Sequence, residues 1–219
     1  MMKNILSTFL LAAALPATAQ EMKKLDIRFD DMAAGAPPEQ VFVIDGNIQI
    51  AEKDGGKALV IDPGTELVEG AAQLGDSAAG NASVQVKVLA SKQGRSTPRF
   101  GISVHGMSGY RFYVNPAKKQ LELIKADQTV ASAPFIWKSD AWLHLKLEVK
   151  KAAGDAWYIT ASAWPAADTA APAEPQLKHS DKGLKGQGKC TLWATPFSGK
   201  PVYFDDAHVE VETAPAAAK

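Results

Sequence analysis

The sequence predicts an all-β protein, a two-sheet antiparallel β-sandwich, on three observations. Apolar and polar side chains alternate at a period of two in about a dozen short segments. Turn-forming residues separate those segments, and helical periodicity is almost absent beyond the first twenty residues. With 219 residues, 46% hydrophobic and 22% charged, the composition is that of an ordinary globular chain.

Residues 1–19 carry one cationic side chain (Lys3), an apolar run over 5–15, and the small residues Ala17-Thr18-Ala19. That pattern predicts a secretory leader cleaved after Ala19, too short in its apolar part to span a bilayer. The expectation is therefore a periplasmic or secreted protein, with a β-sandwich body over 20–212 and a disordered tail over 213–219. No later segment approaches the ~18 apolar residues of a membrane span. Short runs at 41–44, 48–51 and 58–61 read as strands between the turns Asp45-Gly46-Asn47, Asp54-Gly55-Gly56 and Asp62-Pro63-Gly64. The stretch 70–79 reads as a short helix or turn.

The clearest strands come next. Val84, Val86 and Val88 alternate with Gln85 and Lys87; Phe100, Ile102 and Val104 alternate with Gly101, Ser103 and His105. Tyr110, Phe112 and Val114 flank Arg111 and Tyr113, and Leu121 and Leu123 flank Glu122. Leu143, Leu145, Leu147 and Val149 alternate with His144, Lys146 and Glu148; Trp157, Ile159 and Ala161 alternate with Tyr158 and Thr160. The connection 165–178, rich in Ala, Pro and Asp, reads as a surface crossing, and Val209 and Val211 mark the last strand.

Charge and cysteine content exclude several function classes. Equal numbers of basic and acidic residues, 24 of each, give no electrostatic drive toward nucleic acid. One cysteine, Cys190, excludes an intrachain disulfide and any multi-cysteine metal site. The segment GLKGQGKC at 183–190 comes within one residue of a phosphate-binding loop. It lacks the hydroxyl that would ligate magnesium, and the residues after it read as a strand rather than a helix.

Several short motifs together resemble a known family. They are WLHLKLEV at 142–149, Trp164-Pro165, PAEP at 172–175, Gly186-Gln187-Gly188, and VYFDD at 202–206 with Val209 and Val211 beyond it. An early Phe29-Asp30-Asp31 resembles the family's opening strand. The pattern is similar to concanavalin A-like lectin/glucanase jelly rolls, especially the secreted bacterial domains of 3-keto-disaccharide hydrolase-like or laminin-G-like type. The resemblance implies two curved sheets whose concave face binds glycans in many members. Laminarinase-like members carry their catalytic carboxylates as Glu-x-Asp-x-x-Glu, and this sequence has no such string. Glu122, Glu148, Glu210 and Glu212 are the glutamates on strands that could serve in their place.

The expectation is a non-catalytic carbohydrate-interaction module. The alternatives are an atypical glycoside hydrolase acting on keto-disaccharides, and a structural domain that docks on a cell-envelope protein. Sugars present apolar C–H faces and hydroxyl rims, so their sites need aromatic planes beside planar hydrogen-bonding groups. Arg111 and Tyr113 supply such a pair on a polar strand face. Arg99, His105 and His144 are the expected neighbours, with Trp137, Trp164 and Trp193 as further stacking surfaces. A structural calcium is also expected. In jelly rolls of this type the first and last strands lie side by side, which would bring Asp30 and Asp31 against Asp205 and Asp206. Alternation from Val211 through Val209 and Ala207 places Asp205 inward, where a carboxylate requires a cation or partner.

Overall fold

The structure is a computed structural model that describes residues 21–65, 69–168 and 170–214. The predicted leader falls outside these residues, as does the end of the tail. Among the described residues fifteen strands, numbered in chain order, form two antiparallel sheets. The first sheet contains β13 (Leu177–Asp181), β12 (Trp157–Pro165), β11 (Leu143–Lys151), β6 (Ala82–Ala90), β15 (Val202–Thr213), β4 (Gly56–Asp62) and β3 (Asn47–Lys53), in that order. β1 (Glu21–Ile27) pairs with the distal half of β15. The second sheet runs β10 (Gln128–Pro134), β9 (Gln120–Lys125), β8 (Tyr110–Asn115), β7 (Arg99–Val104), β14 (Gly188–Thr195), β5 (Gly70–Ala78) and β2 (Val41–Asp45). Helix is limited to short 3-10 turns at Gly106–Ser108 and Ala153–Asp155 among the described residues. None of the described helices is long and apolar enough to cross a membrane.

The alternation in the sequence becomes the two faces of each sheet. Leu143, Leu145, Leu147 and Val149 turn inward with Val84, Val86 and Val88. They pack against Phe100, Ile102, Val104, Phe112, Val114 and Leu192 from the second sheet in one contiguous core. Burying each such leucine side chain contributes about 1.5–3 kcal/mol. The expected two-sheet sandwich is therefore the observed architecture.

Three expectations need correction, and two strands carry no expectation. Residues 70–79 form no helix: β5 lies between β2 and β14 as a full strand. Its run of small residues serves close packing, since a Cβ on Gly70 would lie 2.4 Å from Ile61 Cγ2. The opening strand is β1, not the Phe29-Asp30-Asp31 segment. Phe29 is buried, and both aspartates lie in the turn after it. The strand expected to end near Val211 continues through Thr213, the first residue assigned to the tail. Finally, β10 and β13 arise in stretches without strong alternation. Both are edge strands with one hydrogen-bonded neighbour and many exposed positions, so their sequences carry little periodic signal.

Candidate functional site

The outer face of the second sheet holds an unusual set of side chains. Register carries two rows across it. One row runs Phe42, Gln73, Thr191, Ser103, Arg111 and Ile124; the other runs Ala71, Trp193, Gly101, Tyr113 and Glu122. Arg99 occupies the next outward position of β7, opposite Thr195. An outward sheet face is ordinarily solvated, but here Tyr113 is 1% exposed, Trp193 4% and Glu122 1%. Ala71, Tyr113, Ile124 and Trp193 form a small apolar cluster separate from the main core.

The cluster is closed by guanidinium groups lying on the rings. Arg111 Cζ sits 4.0 Å from the Trp193 ring centre, and Arg99 Cζ sits 4.0 Å from that of Tyr113. Glu69, on the approach to β5, ties the set together. It accepts a hydrogen bond from the Tyr113 hydroxyl at 2.5 Å and pairs with Arg111 at 3.3 Å. Burial first, and then the Glu69 charge, raise the Tyr113 hydroxyl's pKa above the usual phenol value. Trp193 Nε1 donates to Ser103 Oγ at 2.8 Å, which fixes the indole. Gly101 lies between Trp193 and Tyr113, and a Cβ there would meet the Phe112 carbonyl oxygen at 2.0 Å. A glycine is therefore required where the two rings flank the strand.

Glu122 anchors the far side. Asn115, Lys118 and Gln120 donate to it at 3.0, 2.8 and 2.7 Å, and Arg99 pairs with it at 3.5 Å. Burial pushes its carboxyl up, but these hydrogen bonds outweigh that effect and hold it below the usual range. Every Glu122 oxygen is thus engaged within the protein, which suits a structural anchor. Arg111, Glu69 and Arg99 keep 16%, 29% and 31% of their side-chain surface open. Those three groups, over an aromatic floor, are what the face presents to a ligand.

Of the residues expected in the site, the structure brings Arg99, Arg111 and Tyr113 together and separates the two histidines. β7 ends at Val104, and His105 adopts a left-handed φ of 60°, which breaks the alternation. Its ring turns into the interior, edge-on to Trp157, and Nε2 donates to the Gly80 carbonyl at 2.7 Å. Burial lowers its pKa below the usual imidazole value. His144 lies in the first sheet on β11, stacked on Trp164 at 4.9 Å. Trp137 packs edge-on against Phe100. Of Trp137, Trp164 and Trp193, only Trp193 joins Arg111. Glu69 escapes a reading of the sequence because it lies in a connection, where alternation carries no information.

The four aspartates expected to hold calcium do not share one inward face. The first and last strands do pair, Ile27 opposite Ala207, but a bulge interrupts β15 between Asp205 and His208. Phe204 and Ala207 both point inward, so the two aspartates between them leave the core face. Asp206 pairs with Lys87 at 2.6 Å, Asp30 accepts the Lys57 backbone N–H at 2.7 Å, and Asp31 is exposed. Among the described residues no group of three or more His, Cys, Asp or Glu side chains is arranged to hold a metal.

Nor is a nucleotide or thiol site present in the segment 183–190. It runs straight into β14, and Cys190 is fully buried with its thiol pKa pushed up to about 12 by burial.

Comparison with known proteins adds the fold. The sequence matches no protein-family model and no curated protein. In structure it is similar to the carbohydrate binding module CBM66 from Bacillus subtilis, with a TM-score of 0.52 and 14% identity over 78% of this chain and 95% of that one. It is also similar to lectin II from Ulex europaeus, with a TM-score of 0.54 and 7% identity over 87% and 99% of the two chains. A third likeness is the carbohydrate recognition domain of Emp46p, with a TM-score of 0.53 and 9% identity over 80% and 89%. These likenesses show a lectin-like jelly-roll sandwich.

Proposed function

We propose that this lectin-like sandwich is a non-catalytic carbohydrate-binding module whose site is the outer face of the second sheet. The carrying observation is the Glu69–Arg111 pair set over Trp193 and Tyr113. A sugar diol needs an acceptor for one hydroxyl proton and a donor to a neighbouring hydroxyl oxygen. Glu69 supplies the first and the Arg111 fork the second, both held by buried partners. Exposed Phe42 lies at the end of the Arg111 row, four strands away, or about 19 Å at the usual ~4.8 Å strand spacing. That span suits an oligosaccharide rather than a single sugar, with a terminal apolar contact at Phe42.

The names of the structural neighbours support this reading, since those proteins are described as carbohydrate-binding. The finer kinship with 3-keto-disaccharide hydrolase-like domains and export through the leader belong to the same proposal. A non-catalytic role fits the site because Glu122 is saturated by internal donors. The test is retention of the protein on a panel of immobilised polysaccharides, then titration with the best one. Arg111→Met keeps an unbranched stem over Trp193 and removes the donors. It should weaken binding about 10-fold or more, the worth of a charge-assisted hydrogen bond, with little change in melting temperature. Wild-type affinity in Arg111→Met would overturn the assignment.

A further inference from the structure

The first sheet carries an open cleft of about 700 Å³ at the end remote from β1's start, a volume within the usual range for small-ligand sites. It is built from six separate parts of the chain: the turn after β1, the β3–β4 hairpin, Lys87 of β6, the residues leading into β11, the turn at the end of β12, and Asp205 of β15. Trp142 forms its apolar wall, and the indole is fixed because Nε1 donates to Asp54 Oδ2 at 3.1 Å. A fixed aromatic ring at the wall of a polar cleft is a stacking surface for a saccharide ring.

The charges around that ring are unequal. Lys53 is paired with Asp54 at 3.0 Å and Lys87 with Asp206 at 2.6 Å. Lys57 Nζ donates to the Asp30 carbonyl oxygen, while the Asp30 carboxylate accepts the Lys57 backbone N–H. Exposed Lys138 has no hydrogen bond or ion pair among the described residues. Asp205, also lining the cleft, is pushed above the usual carboxylate range by burial and then by the Asp206 and Asp30 charges, and its Oδ1 has no partner. The cleft therefore offers one unengaged cationic donor, Lys138, beside the fixed Trp142 ring.

We infer that this cleft is a second saccharide site, on the sheet opposite the first, that takes a sugar bearing a carboxylate. The sugar ring stacks on Trp142 and its carboxylate pairs with Lys138. The inference stands on the first sheet alone and does not require the Arg111 site.

The five indole N–H signals of the ¹⁵N-labelled protein report the two sites separately, with Trp142 and Trp193 assigned by Trp→Phe variants. Titration with hexagalacturonate should move the Trp142 signal saturably, and more weakly at 0.5 M salt because the contact is ionic. Lys138→Ala, an exposed position that leaves the fold intact, should lower that affinity about 3- to 10-fold. Arg111→Met should not alter it. An unmoved Trp142 signal would overturn the inference, as would an equal response to neutral galactohexaose or full affinity in Lys138→Ala. Because Trp193 reports the other face, movement at Trp142 with silence at Trp193 sustains this inference independently of the first site, which its own best-retained sugar tests.

Discussion

At the scale of single residues, Tyr113 shows how a buried group can serve an open site. The alternation around Phe112 and Val114 marks it as outward, and it is outward, yet Arg99 lies over its ring and almost none of it reaches solvent. Its part is to hold Glu69 through the hydroxyl. Tyr113→Phe should therefore leave the ring stack in place, cost roughly 1 kcal/mol of stability, and weaken glycan binding several-fold through a looser Glu69. Denaturant unfolding and titration check both parts, and unchanged affinity would remove Tyr113 from the site's support. Arg111 and Tyr113 were legible in the sequence because each interrupts a strongly apolar strand. Glu69 and the inward turn of His105 were not, because one depends on a loop's path and the other on a single left-handed residue at a strand's end.

At the scale of elements, the strands with full alternation were readable and the edges were not. β11 repeats Leu-x-Leu-x-Leu because one face packs on the core over its whole length. β13 has only one sheet neighbour, and its pattern is correspondingly weak. The tie that secures β13 against the other sheet is polar. Asp181 accepts from the Tyr110 hydroxyl at 2.8 Å, from Lys125 of β9, and from the Gly183 backbone N–H at 2.7 Å. Burial pushes the Asp181 carboxyl up, but these bonds outweigh it and bring its pKa down to about 2. The folded value is below the ordinary one of 3.8, so the stabilisation is complete above about pH 4. It is lost as pH falls through the folded value near 2. Asp181→Asn should thus lower the melting temperature at neutral pH and flatten the acid-side decline between about pH 4 and 2. An identical decline in the variant would show that the tie does not contribute.

At the scale of the whole molecule, one core supports two outer faces with different chemistry. The second sheet presents guanidinium and carboxylate groups over an aromatic floor, and the first presents a lysine-rimmed cleft beside Trp142. The chain ends are joined by direct pairing of β1 with β15, and the Lys87–Asp206 ion pair holds one of the aspartates expected to ligate calcium. A β-bulge turns Asp205 and Asp206 off the core face, and nothing in the alternation of Val209 and Val211 forecasts a bulge three residues earlier. Carbohydrate binding by the second sheet's outer face is the proposal on which the functional reading depends. Backbone amide shift mapping with the best-retained oligosaccharide tests it most directly. Saturable shifts are expected in Glu69, Gln73, Arg99, Arg111 and Trp193, with the Leu145 and Leu147 amides of β11 unmoved. Saturable binding that leaves those five amides unmoved would contradict it.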